Sequence, residues 1–203
     1  PGFGDSDPLG GEFDYSAFVA FVDQFAGGVG LTRFNLVGHS IGGCIALQYA
    51  LERPDRVIKL VLVSSLGIGK SIGRWIKYLS TPVFMYLVGE PMLAFMDIVK
   101  WVSRKLSRPM QLKNNPLTRM NIGLGRKIAT LAGQTLVLRE RLCELVVPTL
   151  VVWGSHDGIV PVRHAYVAAE LIPDCRIQVL DGGHSIHRQR MAEFSDALND
   201  FLE

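Results

Sequence analysis

A serine hydroxyl becomes a nucleophile when an imidazole takes its proton and a carboxylate orients and charges that imidazole. This chain of 203 residues carries those three types in the order serine, aspartate, histidine. Ser40 lies in Gly38-His39-Ser40-Ile41-Gly42, a GxSxG segment. It falls between an apolar run that reads as a strand, Phe34 to Val37, and a run that reads as a helix, Gly42 to Arg53, ended before Pro54. In that setting the glycines matter as much as the serine. A sharp strand-to-helix turn holds the serine in a strained conformation, and small neighbours let the chain close around it. The Ile41 N–H, at the start of the helix, is then placed to donate to a developing oxyanion. Asp157 follows the run Thr149 to Trp153 in Gly154-Ser155-His156-Asp157, and His184 follows Arg176 to Leu180 in Asp181-Gly182-Gly183-His184. Both sit just past the ends of predicted strands.

The elements that must position these groups alternate. Tyr15 to Phe25 spaces Phe18, Val19, Val22 and Phe25 as an amphipathic helix, with Asp14 as N-cap and Gly27 and Gly28 as its stop. Val57 to Val63 is a β-branched run suited to a buried parallel strand. A helix is expected near Val162 to Leu171 and a last one around Met191 to Leu202. This is βαβ alternation on both sides of an interruption, which predicts an α/β fold with a mostly parallel sheet flanked by helices. The interruption, Gly67 to Glu144, is helix-like and punctuated by proline, and reads as a helical cap. The core is then 1–66 with 145–203, and the cap 67–144.

Four segments, PGFGDSD, NLVGHSIGG, VVWGSHDGIVP and DGGHS, together resemble the α/β-hydrolase superfamily, especially its capped esterases and carbon–carbon bond hydrolases. The resemblance runs from Pro1 to about Phe194. It implies Ser40 as nucleophile, His184 as general base and then acid, and Asp157 as the group that orients and charges the imidazolium. It also implies an acyl-enzyme, no cofactor, and a small apolar or amphiphilic carboxylic ester as substrate. Hydrolysis of a carbon–carbon bond in a diketone-like compound is the alternative within the fold, and a ligand-binding member of low turnover is a rival outside it. The family carries a further strand and a His-Gly loop ahead of PGxGxSD, and that loop supplies a second oxyanion N–H. This sequence contains neither, so the expectation is that residues upstream of Pro1 belong with it and that the chain alone is weakly active. Ile186 and Gln189 stand where the family usually has proline and glutamate.

Composition narrows the classes further. With 48% hydrophobic and 20% charged residues the chain can bury one core, and a net charge of +2 gives no reason to expect nucleic-acid binding. Three cysteines, Cys44, Cys143 and Cys175, fit a reducing compartment such as the cytoplasm better than a disulfide framework. Cys44 reads as a small buried hydrophobe. The most apolar run, Pro82 to Val99, is broken by Gly89, Glu90 and Pro91, which disfavours a spanning helix. Gly67-Ile68-Gly69-Lys70-Ser71 lacks the spacing of a phosphate-binding loop, and His156, His164, His184 and His187 lack that of a metal site. Charge is segregated: 67–144 holds thirteen Lys and Arg against four acidic residues, +9, leaving −7 elsewhere. Lys70, Arg74 and Lys77, and then Lys100, Arg104, Lys105 and Arg108, accompany apolar residues at helical spacing. A solvated cap surface accounts for this most simply, and peripheral contact with an anionic membrane is the sharper expectation. Phe84, Met85, Tyr86, Met92, Phe95 and Met96 would suit an apolar pocket or a cap core.

Overall fold

The apolar runs become strands, and the periodic runs become the helices that cover them. The computed structural model describes residues 1, 6, 7, 14–79, 81, 84, 86, 87, 91, 95, 98 and 128–203. In chain order the elements are α1 (Tyr15–Gly28), β1 (Phe34–His39), α2 (Ile41–Glu52), β2 (Val57–Val63), α3 (Arg74–Leu79), the short strands β3 (Ala129–Thr130) and β4 (Gly133–Gln134), β5 (Thr149–Gly154), α4 (Arg163–Leu171), β6 (Cys175–Leu180), α5 (Ile186–Gln189) and α6 (Met191–Leu202). Strands β1, β2, β5 and β6 form one parallel sheet in that order. The register sets Val63 beside His39 on one side and Val152 on the other, so the C-terminal ends of the strands lie level.

Burial explains the composition of each element. All six residues of β5 are buried, as expected of a central parallel strand covered on both faces. Helix α2 is apolar nearly all round because Gly43 to Ala50 are all buried, packed against β1, β2 and α1. The Tyr49 hydroxyl satisfies itself there by donating to Asp23 at 2.8 Å. On α6, Phe194, Leu198, Phe201 and Leu202 recur at helical spacing and pack on Val61, Val63, Leu150, Val152, Leu180 and Ile186. Helix α1 begins as the sequence suggests, with the Asp14 carboxylate accepting from the Ser16 N–H at 3.0 Å. It ends on Gly27 and Gly28, the two glycines expected to stop it. The burial of Phe18, Val19 and Ala26 holds the helix against the sheet unit.

The chain divides into two compact units, one of Asp14–Gly73 with Gln134–Glu203, the other of Pro1–Phe13 with Arg74–Gly133. The first carries the sheet. Gly67–Gly73 and Gln134–Glu144 fall in it, tied to each other and, through the Gly73 N–H on the Ile159 carbonyl at 2.7 Å, to the loop after β5. The Gly67 N–H donates to Gln134 Oε1 at 2.8 Å and Gln134 Nε2 to the Ser71 carbonyl at 2.9 Å. The Gln134 N–H reaches the Lys70 carbonyl at 2.9 Å, and the Leu138 N–H the Gly67 carbonyl at 2.6 Å. In the second unit α3 packs against β3, and Trp75, Tyr86, Leu87, Phe95 and Ile98 are exposed. Residues 2–5 of the opening segment, Met85, Met92, Met96 and the basic stretch 99–108 lie outside the described residues.

His164 opens α4 from inside the first unit, only 3% exposed. Ser71 Oγ lies 2.6 Å from His164 Nε2 and accepts from Arg163 Nε at 3.2 Å. The hydroxyl can accept from arginine and also bond the ring, and burial keeps the imidazole neutral near pH 7. Burial, with the positive charges of Arg163 and Arg139, pulls its pKa to about 4 against the pull of Asp157. In the unfolded chain the same ring titrates near 6.5. Between those values the unfolded state binds the extra proton, so this stabilisation is complete above about pH 6.5 and is lost as pH falls toward 4. At most about 3 kcal/mol is at stake. Urea midpoints measured from pH 7 to 4.5 should therefore fall more steeply for the native sequence than for His164→Gln. Parallel curves would contradict this.

Candidate active site

Ser40 stands between β1 and α2 with φ 56° and ψ −118°, a conformation that a side-chain-bearing residue holds only at a cost of about 1–3 kcal/mol. Its surroundings over-determine it. The Ser40 N–H donates to the Val63 carbonyl at 3.0 Å, while its own carbonyl accepts from Gly43, Cys44 and Leu66 at 3.1, 3.3 and 3.0 Å. The turn is possible because position 38 has no side chain: a Cβ there would lie 2.4 Å from the Gly42 carbonyl oxygen. The Ile41 N–H opens α2, where the first backbone donors have no partner within the helix. Cys44 is fully buried behind the turn, its thiol pushed up to about 12 by burial, so it serves packing.

Asp157 and His184 come from the loops after β5 and β6, and those loops are tied backbone to backbone. The Ser155 N–H donates to the Leu180 carbonyl and the His156 N–H to the Gly182 carbonyl, both at 2.9 Å. Gly154 lets them meet, since a Cβ there would stand 2.3 Å from the Gly183 carbonyl. The Asp157 side chain is fully buried. Its Oδ1 accepts from the N–H groups of Ile159 and Val160 at 2.8 and 2.9 Å, and its Oδ2 lies 2.8 Å from His184 Nδ1. Burial alone would raise the carboxyl pKa. The hydrogen bonds from His184, Val160 and Ile159 and the attraction of the imidazole outweigh it and hold the group below its ordinary value. A carboxylate only accepts, so His184 carries its proton on Nδ1 and turns a lone pair on Nε2 toward Ser40 Oγ, 2.9 Å away.

The three side chains singled out in the sequence thus form one hydrogen-bonded run, Ser40 to His184 to Asp157. The structure adds partners that residue spacing does not signal. His39 Nε2 donates to the His184 carbonyl at 3.0 Å. Burial chiefly, with the neighbouring imidazoles of His184 and His187, pulls His39 to about 4 against that hydrogen bond, so it is neutral near pH 7. Ile186 is fully buried in the core, and Gln189 closes the histidine loop by accepting the Gly183 N–H at 2.6 Å. The remaining histidines have separate settings. His156 lies at the surface 3.3 Å from Asp181, His164 is inside against Ser71, and His187 packs on His39 and Phe194.

A serine hydroxyl bonded to an imidazole that is itself backed by a buried carboxylate can lose its proton as it attacks an electrophilic carbonyl. Comparison with known proteins agrees with the fold. Among curated relatives, an uncharacterized protein of Mycobacterium tuberculosis is 25% identical over 225 residues, covering 100% of this chain and 65% of its own length. A 2-hydroxy-6-oxo-6-phenylhexa-2,4-dienoate hydrolase of Burkholderia cepacia is 29% identical over 185 residues, 86% of this chain and 64% of that one. The chain therefore spans just under two thirds of these relatives. A solved 2-hydroxy-6-oxo-6-phenylhexa-2,4-dienoate hydrolase from Rhodococcus sp. strain RHA1 has the same fold, with a TM-score of 0.72 at 21% identity over 99% of this chain and 76% of that one. Residues 1–87 and 97–190 match the family model described as the alpha/beta hydrolase fold, and the chain belongs to that family.

Proposed function

We propose that the protein is a serine hydrolase that cleaves a small apolar or amphiphilic carboxylic ester through an acyl-enzyme. The single observation that carries this reading is the run of hydrogen bonds from Asp157 Oδ2 through His184 to Ser40 Oγ, 2.8 and 2.9 Å long. Ser40 attacks the carbonyl carbon while His184 Nε2 takes its proton, and Asp157 stabilises the imidazolium and its Nδ1–H tautomer. The Ile41 N–H donates to the oxyanion of the tetrahedral intermediate. His184 then hands the proton to the leaving alcohol, activates a water by the reverse transfer, and the acid is released.

Hydrolysis of a carbon–carbon bond next to a carbonyl is the second reading, favoured by the curated relative whose name is that of a 2-hydroxy-6-oxo-6-phenylhexa-2,4-dienoate hydrolase. Both readings need the same serine, so one experiment tests the mechanism and another the substrate. Treatment with a fluorophosphonate followed by peptide mass spectrometry should find the adduct on Ser40. A folded protein that forms no adduct would sink the hydrolase reading. With an aryl ester and a vinylogous diketone offered in parallel, acid plus alcohol from the first and no fragments from the second is the expected outcome. The opposite result would replace the ester with the diketone.

A further inference from the structure

We infer that His39 is a positioning residue for the base: its Nε2–H, given to the main-chain carbonyl of His184 at 3.0 Å, fastens the histidine loop to the nucleophile turn. This rests on the reading of Ser40, His184 and Asp157 just given. The bond joins positions 145 residues apart, and His39 is the covalent neighbour of Ser40. A shift of one end therefore carries the other with it. It acts on the backbone of His184, leaving both ring nitrogens to Asp157 and Ser40. From the other side Gln189 holds the adjoining Gly183 N–H, so residues 183 and 184 are gripped from two directions.

The rings add a wall. The His39 imidazole lies 4.9 Å from that of His184 at 48° and 4.5 Å from that of His187 at 59°, and His187 meets Phe194 edge-on at 6.2 Å. His39 is thus the middle ring of three, and a ring in that place with no N–H would fill the space without holding the carbonyl. The distinction matters because the base must point at Ser40 Oγ during attack, and a misplacement of about 1 Å can cost on the order of 10²-fold in rate.

The test separates the donor from the ring. Fluorophosphonate labelling of Ser40 is resolved into its binding constant and its first-order step in the native protein, in His39→Phe, which keeps a ring and loses the donor, and in His39→Gln, which keeps a donor. The first-order step should fall about tenfold or more in His39→Phe with binding unchanged, and His39→Gln should recover most of it. Labelling of His39→Phe at the native rate, with His184→Ala unreactive, would overturn the positioning role and leave the nucleophile in place. A native protein that does not label would instead overturn the reading of Ser40 itself. The native protein also allows a direct check by nitrogen-15 NMR of the imidazoles. A proton on His39 Nε2 is expected, and one on Nδ1 instead would overturn the inference whether or not the variants fold.

Discussion

Replacing His184 with alanine is expected to lower ester turnover and fluorophosphonate labelling by about 10⁴–10⁶-fold, the range found when the base of such a unit is removed. The size follows from the geometry at Ser40. With His184 Nε2 gone from its place 2.9 Å away, no other described side chain is hydrogen-bonded to the serine hydroxyl. The strained turn and the Ile41 N–H would persist, because they depend on Val63, Leu66 and Gly38. Some rate above water should therefore remain, supplied by binding and oxyanion stabilisation. Asp157 would keep its two backbone donors, Ile159 and Val160, so the fold should tolerate the change. The comparison of kcat/KM between the two proteins is the measurement, and an alanine variant within tenfold of the native rate would mean that another group activates the serine.

Asp157→Asn should cost about 10⁴-fold in turnover while leaving the atoms nearly where they are. The reason is a mismatch of donors. One oxygen of residue 157 is claimed by the N–H groups of Ile159 and Val160, so an amide there must turn its NH₂ toward His184 Nδ1. Two donors would then face each other. The imidazole relieves the clash by moving its proton to Nε2, which then donates to Ser40 Oγ and can no longer take a proton from it. Stability gives an independent reading of the same substitution. The carboxyl is held below its ordinary value, so its stabilising share is present above the ordinary aspartate range and is lost as pH falls through the depressed one. Melting curves of the two proteins should differ at pH 7 and converge in strong acid. Equal turnover at pH 7 would remove Asp157 from the mechanism.

What could be read in the sequence was local. Val57 to Val63 is a strand with the expected limits, and the last helix runs from Met191 to Leu202 as expected, because burial of an unbroken β-branched run and of an i, i+4, i+7 stripe leaves few alternatives. Ser40, Asp157 and His184 stood out as residue types placed after strand ends, in the chain order that the α/β-hydrolase fold uses. The short helix α5 was not foreseen, since four residues carry too little periodicity to signal one. Nor were the grip of His39 on the His184 carbonyl, the Gln189 contact that closes the loop, or the pairing of Ser71 with His164. Each is a side-chain bond between elements distant in the chain, set by packing and invisible to spacing. Departures from a family pattern are visible at Ile186 and Gln189, but only the folded structure shows that one fills the core and the other supplies an acceptor.

Strands β2 and β5 are neighbours in the sheet, although residues 64–148 separate them in the chain. A ladder between them forms only when the ends of that long connection meet, which raises the contact order of the fold. The bonds among Gly67, Lys70, Ser71, Gln134 and Leu138 draw the departing and returning segments together beside the sheet. Closure entropy grows only as the logarithm of length, so halving or doubling what lies between would change the cost by about 0.6 kcal/mol. Insertions or deletions between the two bonded segments are therefore expected to cost little in closure entropy, while Ser40, His184 and Asp157 keep their places at the ends of the strands.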